Sequence, residues 1–495
     1  MKINILFGGK AGQGPNILSE ITGKALVKNG FYVFYSRDYQ SLIRGGHNFN
    51  ILTFSDEQVS SNDSEIDILI ALDNETIEKH KKNLKKDGII LNGNYENMFF
   101  AGALFRIIGL DFDLLEEELR KLGKRFEENL EEAKKGYESR KKEIELPKIN
   151  NKSEKYFMNG SQGVAEGAIK SGIEIYYAYP MTPATPLLTE LAQKQNGNYL
   201  VVELENEISV VNAAVGSTIA GMRAMIGSSG GGFDLMTETI SMAGQAEIPL
   251  VIYLASRHGP GTGVATYTGQ GDLQMARNCG HGEFPRLIVA PGNPEEAEKL
   301  TSHCFYFSQK YKIPCIILSD KHLSESFYTL NEKPEIISSE KITKLARYNS
   351  YEKDEEGSAT ENPEIIKKNA ESRIKKKKEI EKEAERFLQY KIYGNEKSKN
   401  IVVGWGSTKG AILDAINELD CGFLQILYIE PFPDIKKEIE GKNIILAENN
   451  STGQLGEVIA EKTGIFIEEK NKILRYDGRP FLADELKEEI ERRIK

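Results

Sequence analysis

Short β-branched and apolar runs alternate along most of this chain with stretches whose apolar positions recur at helical spacing. In the first 150 residues the runs INILF (Ile3 to Phe7), FYVFY, FNILTF and IDILIAL accompany a helical pattern that starts at Pro15, which predicts an α/β unit with a mostly parallel sheet. From Glu116 to Leu146, Glu, Lys and Arg dominate with sparse leucines, predicting solvent-exposed helices, a connector and a boundary near Lys152. The alternation restarts at Tyr156 with the helix GVAEGAIKSG, the strand IEIYYAYP, a helix near Thr185, the strand YLVVELE and a helix after Asn206. In that last helix Ile208, Val211, Val215 and Ile219 keep helical spacing among small residues, so it is expected to be largely buried. Strands AMIGSS, PLVIYLA, RLIVA and PCIILSD carry the series to about Asp320, enough for one α/β core. Between Glu332 and Asn400 the chain turns Lys- and Glu-rich, and SRIKKKKEIEKEAERFLQY reads as an exposed helix. The strand IVVGWG, a helix from Thr408, FLQILYIEPFP, NIILAEN and a charged closing helix make a third, smaller α/β unit.

Composition narrows the function classes. At 495 residues the chain exceeds the roughly 100 to 200 residues usual for one domain. A net charge of -10 argues against nonspecific nucleic-acid binding, which depends on surplus Lys and Arg. No apolar stretch approaches the roughly 18 residues of a membrane span, and Met1 to Phe7 meets Gly8 and Gly9 without room for a signal h-region, so a cytoplasmic location is expected. Cys279, Cys304, Cys315 and Cys421 are scattered and form no C-x-x-C pair, which argues against a zinc site or a four-cysteine cluster in this chain and favours reduced, mostly buried thiols.

Several loops carry candidate chemistry. Gly8-Gly9-Lys10-Ala11-Gly12-Gln13-Gly14 lies between a strand and a helix, and is either a tight turn or an anion site at a helix N-terminus; it is neither a Walker loop nor G-x-G-x-x-G. Ser41-Leu42-Ile43-Arg44-Gly45-Gly46-His47-Asn48 sets a cation beside two glycines and could grip a phosphate or a neighbouring subunit. Tyr179-Pro180-Met181-Thr182-Pro183 follows a strand, and its two prolines enforce a non-helical turn that projects the Thr182 hydroxyl. Glu207 falls in the first turn of the helix after Asn206, where it either complements the helix dipole or exchanges a proton with a ligand nitrogen. Ser256-Arg257-His258-Gly259-Pro260-Gly261-Thr262-Gly263 puts an arginine at a strand's C-terminal end, where open α/β sheets place ligands. Its fork suits a carboxylate, whether of a substrate or of a structural partner.

YPMTP, the segment LENE with Gly216 nine residues beyond Glu207, SRHGPGTG, GQGD and HGEFP resemble, in that order, the alpha subunits of 2-oxoacid:ferredoxin oxidoreductases. GGKAGQG and SLIRGGHN are similar to the gamma subunit of the same enzymes; VVGWGSTKGAI, IEPFP, ENNSTGQLGE and YDGRPF are similar to the end of the alpha subunit. The resemblance implies three α/β domains. These are a gamma-type domain over 1–150, a pyrimidine-binding domain for thiamine diphosphate over 151–331 and, after a charged linker with a helix over 332–399, a transketolase C-terminal-like domain over 400–495.

It implies an activity as well: conversion of a 2-oxoacid, with CoA, to acyl-CoA and carbon dioxide while ferredoxin is reduced, the gamma-alpha fusion leaning towards 2-oxoglutarate over pyruvate or branched-chain oxoacids. Glu207 matches the glutamate that hydrogen-bonds the cofactor's aminopyrimidine, with Tyr179 and Pro180 in the cofactor-binding turn. Thr182 matches a substrate-contacting threonine and Arg257 the carboxylate-binding arginine; Met181 stands where isoleucine is commoner. Gly404, Gly406, Ser407 and Lys409, on a strand-to-helix turn, are candidate CoA contacts on loop chemistry alone. There is no G-D-G with a distal asparagine, the family's metal and diphosphate signature, and no cysteine cluster. The resemblance therefore assigns Mg2+, the [4Fe-4S] cluster and half of the thiamine diphosphate site to a beta subunit. A heterodimer or dimer of heterodimers serving ferredoxin is expected, with no nucleic acid or membrane partner. A noncatalytic nucleotide- or CoA-binding assembly protein built on Gly8 to Gly14 is the rival reading.

Overall fold

The run Ile3–Phe7 is buried on both faces as the middle of β1 (Lys2–Lys10), and Pro15, which needs no backbone N–H at a helix start, opens α1 (Pro15–Lys28). The computed structural model describes residues 1–40, 45–149, 154–342 and 348–494; Ser41 to Arg44 and the boundary expected near Lys152 lie outside the described residues. The chain forms two compact units. The first comprises Met1–Met158, Ser326–Lys333 and Leu482–Glu488; the second comprises Asn159–Glu325, Pro334–Phe481 and Glu489–Lys495.

In the first unit β2 (Tyr32–Asp38), β3 (His47–Ser55), β4 (Ile66–Ala71), α2 (Asn74–His80) and β5 (Leu84–Asn92) follow, then α3 (Asn97–Ile108), α4 (Phe112–Leu122), α5 (Phe126–Glu138) and β6 (Tyr156–Asn159). The sheet order is β5-β4-β1-β3-β2, then the strand Phe327–Leu330, then β6. The expected parallel arrangement holds for β5, β4 and β1, but β3 is antiparallel to both β1 and β2. Residues 39–46 are too few for the crossover of roughly a dozen residues that a parallel β2–β3 pair needs. The charged helices α4 and α5, expected to be solvent-exposed, instead bury one face each, through Leu115 and Leu119 and through Leu130 and Ala133.

The second unit opens with α6 (Gly160–Lys170), β7 (Ile175–Ala178), α7 (Thr185–Gln193), β8 (Leu200–Glu203), α8 (Glu207–Ile219), β9 (Ala224–Ser228), α9 (Gly230–Asp234), α10 (Thr237–Ala246) and β10 (Leu250–Ser256). It continues through α11 (Leu273–Asn278), β11 (Leu287–Val289), α12 (Pro294–Tyr311), β12 (Pro314–Asp320) and α13 (Lys321–Glu325). Here the chain enters β13, the Phe327–Leu330 strand of the first sheet. It returns as α14 (Pro363–Ala384), β14 (Tyr390–Gly394), β15 (Asn400–Trp405), α15 (Thr408–Ile416), β16 (Gly422–Ile426), β17 (Tyr428–Glu430), α16 (Lys436–Ile439), β18 (Asn443–Glu448), α17 (Gln454–Thr463) and β19 (Lys472–Leu474). The central sheet, β17-β11-β12-β10-β9-β7-β8, is parallel except for β17, and β10 and β12 are buried throughout, as strands covered on both faces must be. The smaller sheet, β14-β16-β15-β18-β19, shares an apolar core with it through Trp405, Ile426, Leu446, Ile226, Leu254 and Ile288. The expected exposed helix is α14, which buries only Ile380 and Ala384.

One helix differs from its expected burial. α8 buries Glu207, Val210, Val211, Ala214, Val215 and Thr218, whereas Ile208 is 50% exposed. At 100° per residue the buried arc centres near Glu207 and Thr218, leaving Ile208 and Ile219 at its edge and Ser209, Asn212, Gly216 and Ala220 facing out. Among the described residues no helix is long and apolar enough to cross a membrane, and all four cysteines are buried and unbridged.

Candidate active site

Because β10, β9, β7 and β8 are adjacent and parallel, the loops that follow them emerge along one edge of the sheet. Three sequence-predicted groups sit there. The turn after β7 leaves Tyr179 and Pro180 exposed, buries Pro183, and is closed by Ala184 N donating to Met181 O at 2.7 Å. The Thr182–Pro183 peptide is cis. After β8, Asn206 caps α8 by accepting from Ser209 N at 2.8 Å, and this cap fixes Glu207 as the first helical residue. Glu207 is only 4% exposed, and its carboxylate makes no hydrogen bond among the described residues. Glu205, by contrast, is exposed.

Arg257, directly after β10, donates from Nη1 to the Thr182 carbonyl at 2.9 Å, which joins two of the predicted substrate residues. Its Nε is buried and unpaired. Burial pulls the guanidinium below its ordinary value, while the Asp272 and Glu207 carboxylates oppose the shift. Burial likewise pushes Asp272 above the usual carboxylate range, against the pull of Arg257. The cleft therefore sets a cation between two carboxylates at the sheet's C-terminal edge, where open α/β sheets bind ligands.

Sequence reasoning passed over the floor of the cleft. β9 runs into Ser229-Gly230-Gly231-Gly232, and a Cβ on Gly232 would lie 2.6 Å from Glu207 Oε1 and 2.2 Å from Ser228 Oγ. Only glycine lets the Glu207 carboxyl lie in this position. A Cβ on Gly230 would meet Asp272 Oδ2 at 2.7 Å. The readable signal was a triple glycine straight after a strand; the role of Asp272 within GQGD had no local signal. A buried carboxyl without a hydrogen-bond donor, in a cradle shaped by glycine, fits a ring nitrogen of an aminopyrimidine.

The four candidate CoA contacts are all buried and face no open surface. Gly404 lies within β15, Ser407 is buried, and Lys409 is 6% exposed and ion-paired with Glu296 at 2.5 Å. Its charge is spent inside the fold, so the loop-chemistry argument for a phosphate contact there fails. In the first unit Gln13 fills the turn after β1, accepting from Lys10 N at 2.6 Å, and Gly14 takes the left-handed conformation ahead of Pro15.

Compared with known proteins, residues 166–392 match the family described as pyruvate flavodoxin/ferredoxin oxidoreductase, thiamine diP-bdg, and residues 4–96 match the family described as pyruvate ferredoxin/flavodoxin oxidoreductase. The 2-oxoacid:ferredoxin oxidoreductase subunit alpha of Saccharolobus solfataricus is 29% identical, over 99% of this chain and 97% of that protein. The 2-oxoglutarate synthase subunit KorA of Methanocaldococcus jannaschii is 30% identical, over 62% of this chain and 90% of the relative. Among solved structures, a 2-oxoglutarate:ferredoxin oxidoreductase from Magnetococcus marinus aligns over 100% of both chains with a TM-score of 0.89 at 23% identity, a likeness of fold.

Proposed function

Given that the chain belongs to the 2-oxoacid:ferredoxin oxidoreductase family as an alpha subunit with a thiamine-diphosphate-binding domain, we propose that its cleft holds the cofactor's aminopyrimidine at Glu207 and a 2-oxoacid at Arg257 and Thr182. The observation that carries the reading is the buried, unpaired Glu207 carboxyl lying against Gly232. When bound, thiamine diphosphate supplies the nucleophilic carbon and electron sink that decarboxylation needs. Glu207 would exchange a proton with a ring nitrogen of the cofactor at its carboxyl oxygen, and its burial keeps water from competing there. Arg257, fixed by the Thr182 carbonyl, has Nε and Nη2 left to bind the substrate carboxylate, and the Thr182 hydroxyl lies on the same turn. Tyr179 and Pro180, exposed on that turn, would border the cofactor.

The overall reaction is oxidative decarboxylation to acyl-CoA and carbon dioxide with reduction of ferredoxin. A beta subunit supplies the diphosphate and Mg2+ site and the [4Fe-4S] cluster. The preferred substrate is 2-oxoglutarate, on the strength of the relatives named 2-oxoglutarate synthase. The test is to purify the chain with its beta-type partner and measure CoA-dependent viologen reduction over a panel of 2-oxoacids. The highest kcat/KM is expected for 2-oxoglutarate. A higher value for pyruvate moves the substrate assignment, and no turnover with any 2-oxoacid overturns the function.

A further inference from the structure

Two glycine-bearing loops that the active-site chemistry leaves unused come together in the first unit. His47, at the start of β3, is in register with Lys10 at the end of β1, and Ala11 N donates to Gly46 O at 3.3 Å. β4 lies parallel to β1 on its other side and ends at Ala71, opposite Gly8; Leu72 N then donates to Gly8 O at 2.9 Å before Asp73 caps α2. The chain leaving β1 proceeds through α1 to β2, while the chain leaving β4 proceeds through α2 to β5 at the opposite end of the strand order. Such divergence is where an open α/β sheet leaves a ligand crevice.

The side chains at this point are ligand types with unspent valence. His47 is 4% exposed, its Nε2 lies 2.8 Å from His80 Nε2, and its Nδ1 is buried without a partner. Asp73 Oδ1 accepts from Thr76 N at 2.9 Å and Thr76 Oγ1 at 2.8 Å, which locks the carboxylate, while its Oδ2 is also buried without a partner. Glu75 is half-buried and gives one oxygen to Lys79 at 2.7 Å. One donor atom from each of His47, Asp73 and Glu75 lies within 4.8 Å of the others. Buried polar atoms are rarely left orphaned, and a single cation satisfies both orphans at once.

We propose that His47 Nδ1, Asp73 Oδ2 and the Glu75 carboxylate bind one divalent transition-metal ion of the zinc class, and that His80 orients the His47 ring through Nε2. An imidazole with two carboxylates favours a borderline ion such as Zn2+ over Mg2+, which prefers oxygen and water. A ring nitrogen held through its second nitrogen is the usual support of a histidine ligand. The ion ties the β1–β3 edge to the β4–α2 turn, and three protein ligands leave it a coordination position open.

The test uses the full chain, stripped with a chelator and titrated with Zn2+ by calorimetry and with Co2+ by visible absorption. One saturable Zn2+ site per chain is expected, with ligand-field bands for Co2+ and no competition from millimolar Mg2+. His47→Gln and Asp73→Asn should weaken Zn2+ binding more than about 100-fold, and His80→Gln by roughly 10- to 100-fold. Asn caps a helix as well as Asp, so the second variant removes the ligand charge and spares α2. Zn2+ should raise the melting temperature of the wild type and not of His47→Gln or Asp73→Asn, whose metal-free melts report on folding. If His47→Gln does not fold, Glu75→Gln carries the same expectation of lost affinity. The proposal is overturned if the wild type has no saturable site, if Mg2+ occupies it equally well, or if Asp73→Asn and Glu75→Gln bind Zn2+ like the wild type.

Discussion

Glu205 and Glu207 stand two residues apart, yet one is exposed and the other is buried at the first position of α8. That difference makes them a natural pair for testing the proposed proton site. Glu207→Gln keeps size and part of the hydrogen bonding but removes the acid, so hydrogen–deuterium exchange at the thiazolium carbon in the reconstituted complex should slow on the order of a hundredfold. Glu205→Gln should leave the exchange at the wild-type rate. Fast exchange in Glu207→Gln with slow exchange in Glu205→Gln would mean the wrong glutamate was chosen; slowing in neither removes the assignment of the domain. Arg257→Ala tests the other end of the cleft. An unpaired substrate carboxylate forfeits roughly 1.5 to 3 kcal/mol of charge-assisted hydrogen bonding, so KM should rise about tenfold or more while kcat changes less. Unchanged saturation kinetics would move the carboxylate site away from Arg257. Glu207 and Arg257 were legible because each sits at a strand end or helix start that the local pattern marks. Gly232 and Asp272 were not, because their roles arise only when separate loops close on Glu207 and Arg257.

At the scale of elements, α8 depends on its cap, and so does the position of Glu207. Asn206→Ala removes the acceptor for Ser209 N and should cost about 1 kcal/mol, read as a lower melting temperature, while Asn206→Ser retains a capping oxygen and should recover most of it. Equal melts for Ala and Ser would show that the cap does not hold the helix start. The smaller sheet offers a test by pH. Glu448, fully buried at the end of β18, accepts from Trp405 Nε1 at 2.8 Å and from Leu455 N at 3.1 Å, and burial pushes its carboxyl up to about 7. The folded state thus binds this proton more tightly than the unfolded chain, whose carboxyl sits near 4.5. Its contribution to stability is full below about pH 4.5, declines as pH rises to about 7, and is flat above. Glu448→Gln should lack that decline, so the wild-type minus variant difference from denaturant titrations should fall across this window. A difference independent of pH would show that Glu448 ionises freely in the fold. Element types and order were readable because strand and helix periodicities differ. The antiparallel half of the first sheet was missed because pairing direction depends on connection length, which the apolar pattern does not carry. The edge position of Ile208 was missed because the apolar spacing follows one side of a buried arc that small residues complete.

At the scale of the whole molecule, the question is how much of an oxidoreductase one chain of 495 residues contains. Its cleft offers carboxylates and an arginine that suit the proposed pyrimidine and substrate ends, but the sequence has no G-D-G with a distal asparagine to hold a metal and diphosphate. Electron transfer needs a carrier as well, and the four cysteines are buried apart from one another in sequence, at positions 279, 304, 315 and 421, without the spacing of a cluster. A reaction that releases two electrons cannot turn over without somewhere to put them, so the isolated chain is expected to be inactive in CoA-dependent viologen reduction. Thiamine diphosphate should also bind it weakly, because the diphosphate contributes most of the cofactor's charge and the sequence carries no G-D-G motif to hold it. Adding a beta-type partner should restore both. The two readouts separate the causes. Tight cofactor binding without turnover in the isolated chain would place the diphosphate site on this chain and leave only the electron carrier to the partner. Robust turnover by the purified single polypeptide, with no second protein present, would overturn the division of labour altogether.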